Sequence, residues 1–124
     1  MALNFIKEQM RAIAAPYMYG RWTADVVYPY YVGELTEDAP RTEDGATDST
    51  MLITGFHRGD PIALETDRQK IKKHFCPIYG CRGNTKDGGA IAVFYERAFI
   101  VPSGDADLHK IQIYLKIKQW KGDL

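Results

Sequence analysis

The sequence predicts a single α+β domain spanning residues 1–124: an antiparallel or mixed β-sheet covered by two helices, in the order α-β-β-α-β-β. Three observations carry that reading. Ile111, Ile113, Leu115 and Ile117 stand at every second position, with Lys110, Gln112, Tyr114, Lys116 and Lys118 in the gaps. Two stretches instead repeat their aliphatic residues at helical spacing. The length of 124 residues, with 45% hydrophobic and 26% charged residues, suits one ordinary globule with a real core and no room for a second catalytic domain.

Leu3, Ile6, Met10 and Ile13 recur between Lys7, Glu8 and Arg11, so Ala2 to Ala14 reads as an amphipathic helix. Pro16 biases Ala15 away from the helical region and ends it. Six aromatic residues follow within fifteen positions: Tyr17, Tyr19, Trp22, Tyr28, Tyr30 and Tyr31. Val26 to Leu35 reads as the first strand, with Pro29 placing its first half at a sheet edge or at its entry, because proline donates no ladder hydrogen bond. Thr36 to Ser49 is polar, acidic and broken by Pro40 and Gly45, a long connection of the kind that carries function in so small a domain. Thr50 to Arg58 is rich in β-formers and reads as the next strand, so the connection becomes the tip of a projecting antiparallel hairpin arm.

Asp60 and Pro61 open the second helix as an acidic cap followed by proline at the first helical position. Leu64, Ile71 and Phe75 line one side, and Lys72, Lys73 and His74 favour the negative end of a helix running to Phe75. After Cys76-Pro77 and a glycine-rich stretch, Ala90 to Tyr95 reads as the third strand. Pro102-Ser103-Gly104-Asp105 turns the chain into the closing strand, Asp107 to Trp120, whose aliphatic face meets both helices and whose lysines lie on the uncovered face.

Sixteen basic residues balance sixteen acidic ones, so the total charge argues for neither nucleic acid nor membrane. The distribution is polarised. From Glu34 to Asp48 six acids face Arg41 alone, a local balance of −5, and from Arg68 to Lys86 six bases stand without an acid. No apolar run approaches the roughly 20 residues of a bilayer span, the N-terminus lacks the order of a signal peptide, and two cysteines make no disulfide framework. The expectation is a protein made and kept in a cytosol.

His74, Cys76 and Cys81 lack the paired spacing of a zinc site, so no metal is expected. His74 and Cys76, two apart at a helix end, point in different directions and lack a third group to make a nucleophile. Asp87-Gly88-Gly89 precedes a strand, whereas a phosphate cradle opens a helix, so it reads as a turn. Glu37, Asp38, Glu43 and Asp44 do not follow a calcium-loop order. No catalytic residue, cofactor or enzyme activity is expected. Lys110, Lys116, Lys118 and Lys121 beside Tyr114 and Trp120 have the composition of a single-stranded nucleic-acid surface, though lysines on an open sheet face also serve simply to protect it from aggregation.

Four segments carry a resemblance: Tyr28-Pro29-Tyr30-Tyr31-Val32-Gly33-Glu34; Glu43-Asp44-Gly45; Leu52-Ile53-Thr54-Gly55-Phe56-His57-Arg58-Gly59; and Gly104 through Ile113. Together with the order of elements, they resemble the tail-terminator or tail-completion family, minor structural proteins of tailed phages and prophages of Gram-positive bacteria. The resemblance implies a tail-terminator-like fold and an assembly role. Such proteins form a ring, usually hexameric, that caps the tail tube, ends its elongation and offers the surface for joining the head. It implies as partners other copies of the chain, the tail tube protein and a head-completion or neck protein, with DNA only as cargo through the ring and no membrane. The location implied is the bacterial host cytoplasm during assembly, then the virion at the tail end next to the neck. On this reading the acidic arm (Glu37, Asp38, Glu43, Asp44) contacts the basic helix and turn (Lys70, Lys73, Arg82) of the next subunit, while Lys110, Lys116 and Lys118 face the channel or a partner. The alternatives are another head-tail neck component, a head-closure or connector protein, and a nucleic-acid-binding module.

Overall fold

The computed structural model describes residues 2–13, 15–37, 46–84, 89–102, 104 and 107–120. Eight elements follow in chain order: α1 (Ala2–Ala12), β1 (Tyr17–Tyr19), β2 (Tyr30–Glu37), β3 (Ala46–Arg58), α2 (Ile62–His74), β4 (Cys81–Asn84), β5 (Ala90–Val101) and β6 (Leu108–Trp120). The strands form one six-stranded sheet in the order β1-β2-β3-β6-β5-β4. Among the described residues β1 and β2 run parallel, and the other four pairings are antiparallel.

β6 is the spine of this sheet. It pairs along its whole length with β3, from Ala46↔Trp120 to Arg58↔Leu108, and on its other side with β5. Its alternation places Ile111, Ile113, Leu115 and Ile117 on the inner face, each at most 1% exposed. Across the register stand Met51 and Ile53 of β3, Tyr31 of β2 and Val93 and Tyr95 of β5, all in the same buried cluster. Ile6 and Met10 of α1, Leu64 and Ile71 of α2 and Ile91 of β5, together with Ala15 and Phe75, complete it. Burial of each such aliphatic side chain is worth about 1.5–3 kcal/mol, so this inner layer is the principal source of stability.

The expected sheet covered by two helices in the order α-β-β-α-β-β, with its tail-terminator-like architecture, is overturned. The protein is mostly strand: a six-stranded, curled, mixed half-barrel with two helices. The observed order is α-β-β-β-α-β-β-β. Two short edge strands, β1 of three residues and β4 of four, account for the difference in order. The sheet curls about its own apolar face, and α1 spans the opening between the two edges. It packs on β1, while Phe5 occupies the space above Gly83 of β4 and Gln9 accepts a hydrogen bond from Cys81 at 3.3 Å. A Cβ on Gly83 would come within 2.5 Å of the Phe5 ring, so the close approach of helix and edge strand requires glycine.

Element boundaries also moved. β2 begins at Tyr30, not Val26, because Pro29 has no N–H for the ladder. β2 and β3 are antiparallel neighbours, as expected, but their pairing continues to Glu37↔Ser49, so both strands extend into the stretch assigned to the connection. Asp38, Glu43 and Asp44 fall outside the described residues. β5 continues past Tyr95 to Val101 after a register shift between Tyr95 and Arg97. That bulge reverses the apolar phase and hides the second half of the strand from a period-two reading.

Candidate functional site

The face of the sheet turned away from the core is built from the opposite phase of the same strands. In β6 it carries Lys110, Gln112, Tyr114, Lys116, Lys118 and Trp120; register brings Phe56 beside Lys110, Arg97 beside Tyr114 and Phe99 beside Gln112. Tyr30 of β2 lies directly across from Phe56.

Two groups of rings stand on this face. In the first, Tyr30 and Phe56 stack with centroids 4.9 Å apart and planes 21° from parallel, and Trp22 closes on Tyr30 at 5.0 Å. The Tyr28 ring centroid lies 5.7 Å from that of Tyr30. Burial first, and the neighbouring Tyr28 second, push the Tyr30 hydroxyl above its ordinary pKa. Trp22, Tyr30 and Phe56, with Arg21 and Glu34, border a cleft of about 370 Å³. In the second group, Phe99 stacks on Tyr114 at 5.7 Å and 26°.

Cations sit on the rings. The Arg97 guanidinium lies 4.6 Å from the Tyr114 centroid, Lys110 Nζ 5.7 Å from Phe56, and Lys118 Nζ 5.8 Å from Trp120. Each cation gains from the ring quadrupole while its alkyl stem covers apolar surface. The face is therefore ordered in its charges as well as its rings.

The residues singled out in the sequence distribute unevenly. Lys110, Lys116 and Lys118 share this outer face. Glu37 closes β2 opposite Ser49, and Asp38, Glu43 and Asp44 lie outside the described residues. Lys70 and Lys73 are exposed on α2, and Arg82 is exposed on β4 with its Nε donating to the Tyr79 carbonyl at 3.0 Å. Trp22, Tyr30, Phe56, Arg97 and Phe99 were missed as site residues. For Phe56 the signal was present: it shares its strand phase with Leu52 and Thr54, opposite to the core phase of Met51 and Ile53.

His74 and Cys81 do meet, but not as chemistry. His74 Nε2 donates to the Gln9 side-chain carbonyl at 2.6 Å and lies 3.8 Å from the Cys81 sulfur. The same ring nitrogen serves both neighbours, so Gln9 does not orient the ring from its other side as a nucleophile's base requires. Burial pushes the Cys81 thiol up, away from the reactive thiolate. Cys76 is instead pulled below its ordinary value by the backbone amides of Tyr79 and Ile78. Among the described residues no three His, Cys, Asp or Glu side chains gather as a metal site. The strands flanking Asp87 and Gly88, β4 and β5, are antiparallel neighbours, and Asp87 and Gly88 themselves lie outside the described residues.

Among the described residues no helix is long and apolar enough to cross a membrane. In comparisons with known proteins, the sequence matches no family model and no curated protein.

Proposed function

We propose that this chain is a phage structural protein that caps the tail tube as a ring, ends tail elongation and provides the surface that joins the head. The observation that supports it is the distance across the sheet between Arg82 and the strands that flank the acidic segment. The acidic segment is rooted on β2 and β3, whereas Arg82 projects from β4, with β6 and β5 standing between β3 and β4. In the other direction β1 and α1 intervene. Lys70 and Lys73 ride on α2, which packs on β3, so Arg82 is the basic residue that this separation favours for a contact with a neighbouring copy, and a head-to-tail contact of that kind closes into a ring when the rotation allows. The resemblance of the four sequence segments to tail-completion proteins points the same way.

The partners on this reading are further copies of the chain, the tail tube protein and a neck protein, with DNA as cargo. Its place is the host cytoplasm during assembly and then the tail end beside the neck. A head-closure or connector protein would share the class and differ in the surface it touches; a gene position beside the tail tube gene separates the two. Size-exclusion chromatography with light scattering, with and without tail tube, tests the ring directly. A closed oligomer on or beside the tube is expected, and a chain that stays monomeric at every concentration and salt, tube included, contradicts it.

A further inference from the structure

We infer that the outer face of the sheet is a platform for single-stranded nucleic acid, held by base stacking on its two ring groups and by phosphate contacts to the cations between and around them. The inference stands on that face alone and does not rest on the ring.

The two halves of the argument come from different observations. Rings are already stacked in pairs, Tyr30 on Phe56 and Phe99 on Tyr114, on the face away from the core. Phe99 stacks on Tyr114 and still leaves 44% of its surface exposed. Arg97, Lys110, Lys116 and Lys118 share the face against Glu34 and Asp48, and Glu96 pairs with Arg97 at 3.8 Å, so a small excess of positive charge remains on a chain that is neutral overall. Between the ring groups β6 offers Lys110 and Gln112, and Arg21 borders the cleft beside Trp22. An acidic protein would use the cations and leave the rings without a purpose. A neutral sugar would use the rings and leave the cations. An unpaired strand uses both, because every base has a face to stack and every residue a phosphate. A duplex keeps its base faces inside and offers only phosphates.

Both tryptophans of the chain, Trp22 and Trp120, lie on this face, so their emission reports stacking there. The experiment titrates the full-length protein with an oligothymidine of about 20 residues, longer than the roughly 4–16 nucleotides such platforms cover. Fluorescence anisotropy of the labelled oligonucleotide and tryptophan quenching are read together. Expected are saturable binding with quenching, a loss of about 10-fold or more between about 50 and 200 mM salt, and weaker binding of a duplex of equal length. Tyr114→Ala and Phe56→Leu should each weaken binding about 5-fold or more, in keeping with the loss of a stacked base. Arg97→Gln and Lys110→Gln, both surface changes, should weaken it and flatten the salt dependence whether or not the ring variants fold. Absence of binding overturns the inference. So does equal binding of duplex or heparin without quenching, which is plain attraction of a polyanion. Competition by polyglutamate as effective as by the oligonucleotide also overturns it and assigns the face to an acidic protein.

Discussion

Tyr31 faces Gly55 directly across the β2–β3 pair, and its ring fills the space a side chain on Gly55 would need: a Cβ there would lie 2.5 Å from Tyr31 Cε1 and 2.9 Å from Ile111 Cγ2. The Tyr31 hydroxyl then reaches across the core and donates to the Asp67 carboxylate of α2 at 2.7 Å. Glycine on one strand lets an aromatic ring on the next lie close to the sheet and still reach the helix above. Gly55→Ala should destabilise the fold by about 1–3 kcal/mol through overpacking. Urea unfolding followed by circular dichroism measures this, and a variant as stable as the parent removes Tyr31 from its assigned role.

Tyr17 makes the opposite case. Its hydroxyl is buried without a hydrogen-bond partner among the described residues, and burial followed by the neighbouring Tyr19 pushes its pKa up to about 12. An unsatisfied buried hydroxyl costs about 1–3 kcal/mol. Tyr17→Phe removes that cost and keeps the ring, so the variant should be more stable than the parent by on the order of 1 kcal/mol. A clear loss of stability in the same urea assay contradicts this. A folded value above the ordinary 10.0 also places the alkaline loss of stability that Tyr17 contributes between pH 10 and about 12, because the unfolded chain releases its proton first. Tyr17→Phe should remove part of that loss.

Acid acts through Glu65. Hydrogen bonds from Arg68 first and Gln69 second hold its carboxyl at about 2, well below the ordinary 4.5. A lowered folded value stabilises the fold above the unfolded pKa, and the contribution disappears as the pH falls from 4.5 through about 2. The carboxylate is on the surface, so the effect is small. Glu65→Gln should melt slightly below the parent near neutral pH, and the gap should close as the pH is lowered through that window. A gap that persists unchanged at pH 2 assigns the effect to something other than ionisation.

How much of this was legible depended on length and phase. β6 was readable because four aliphatics keep one phase without a break, and both helices because their apolar spacing spans several turns. The antiparallel relation of β2 and β3 followed from the connection between them. β1 and β4 were not readable: three and four residues are too few for any period to emerge, and both are set by what packs on them, α1 in each case. The second half of β5 was hidden by the bulge after Tyr95, which moves Ala98 into the core phase and Phe99 out of it. The lysines of the outer face were visible from β6 alone. Their aromatic companions were not visible as one group, because Trp22, Tyr30, Phe56 and Phe99 lie on four separate stretches that only the strand order β2-β3-β6-β5 brings onto one surface.

Electron microscopy of particles assembled in a host carrying the phage with this gene deleted tests the proposed assembly role most directly. Overlong tail tubes without heads are the result the proposal predicts, since nothing then ends elongation or offers the joining surface. Tails of normal length joined to heads contradict it.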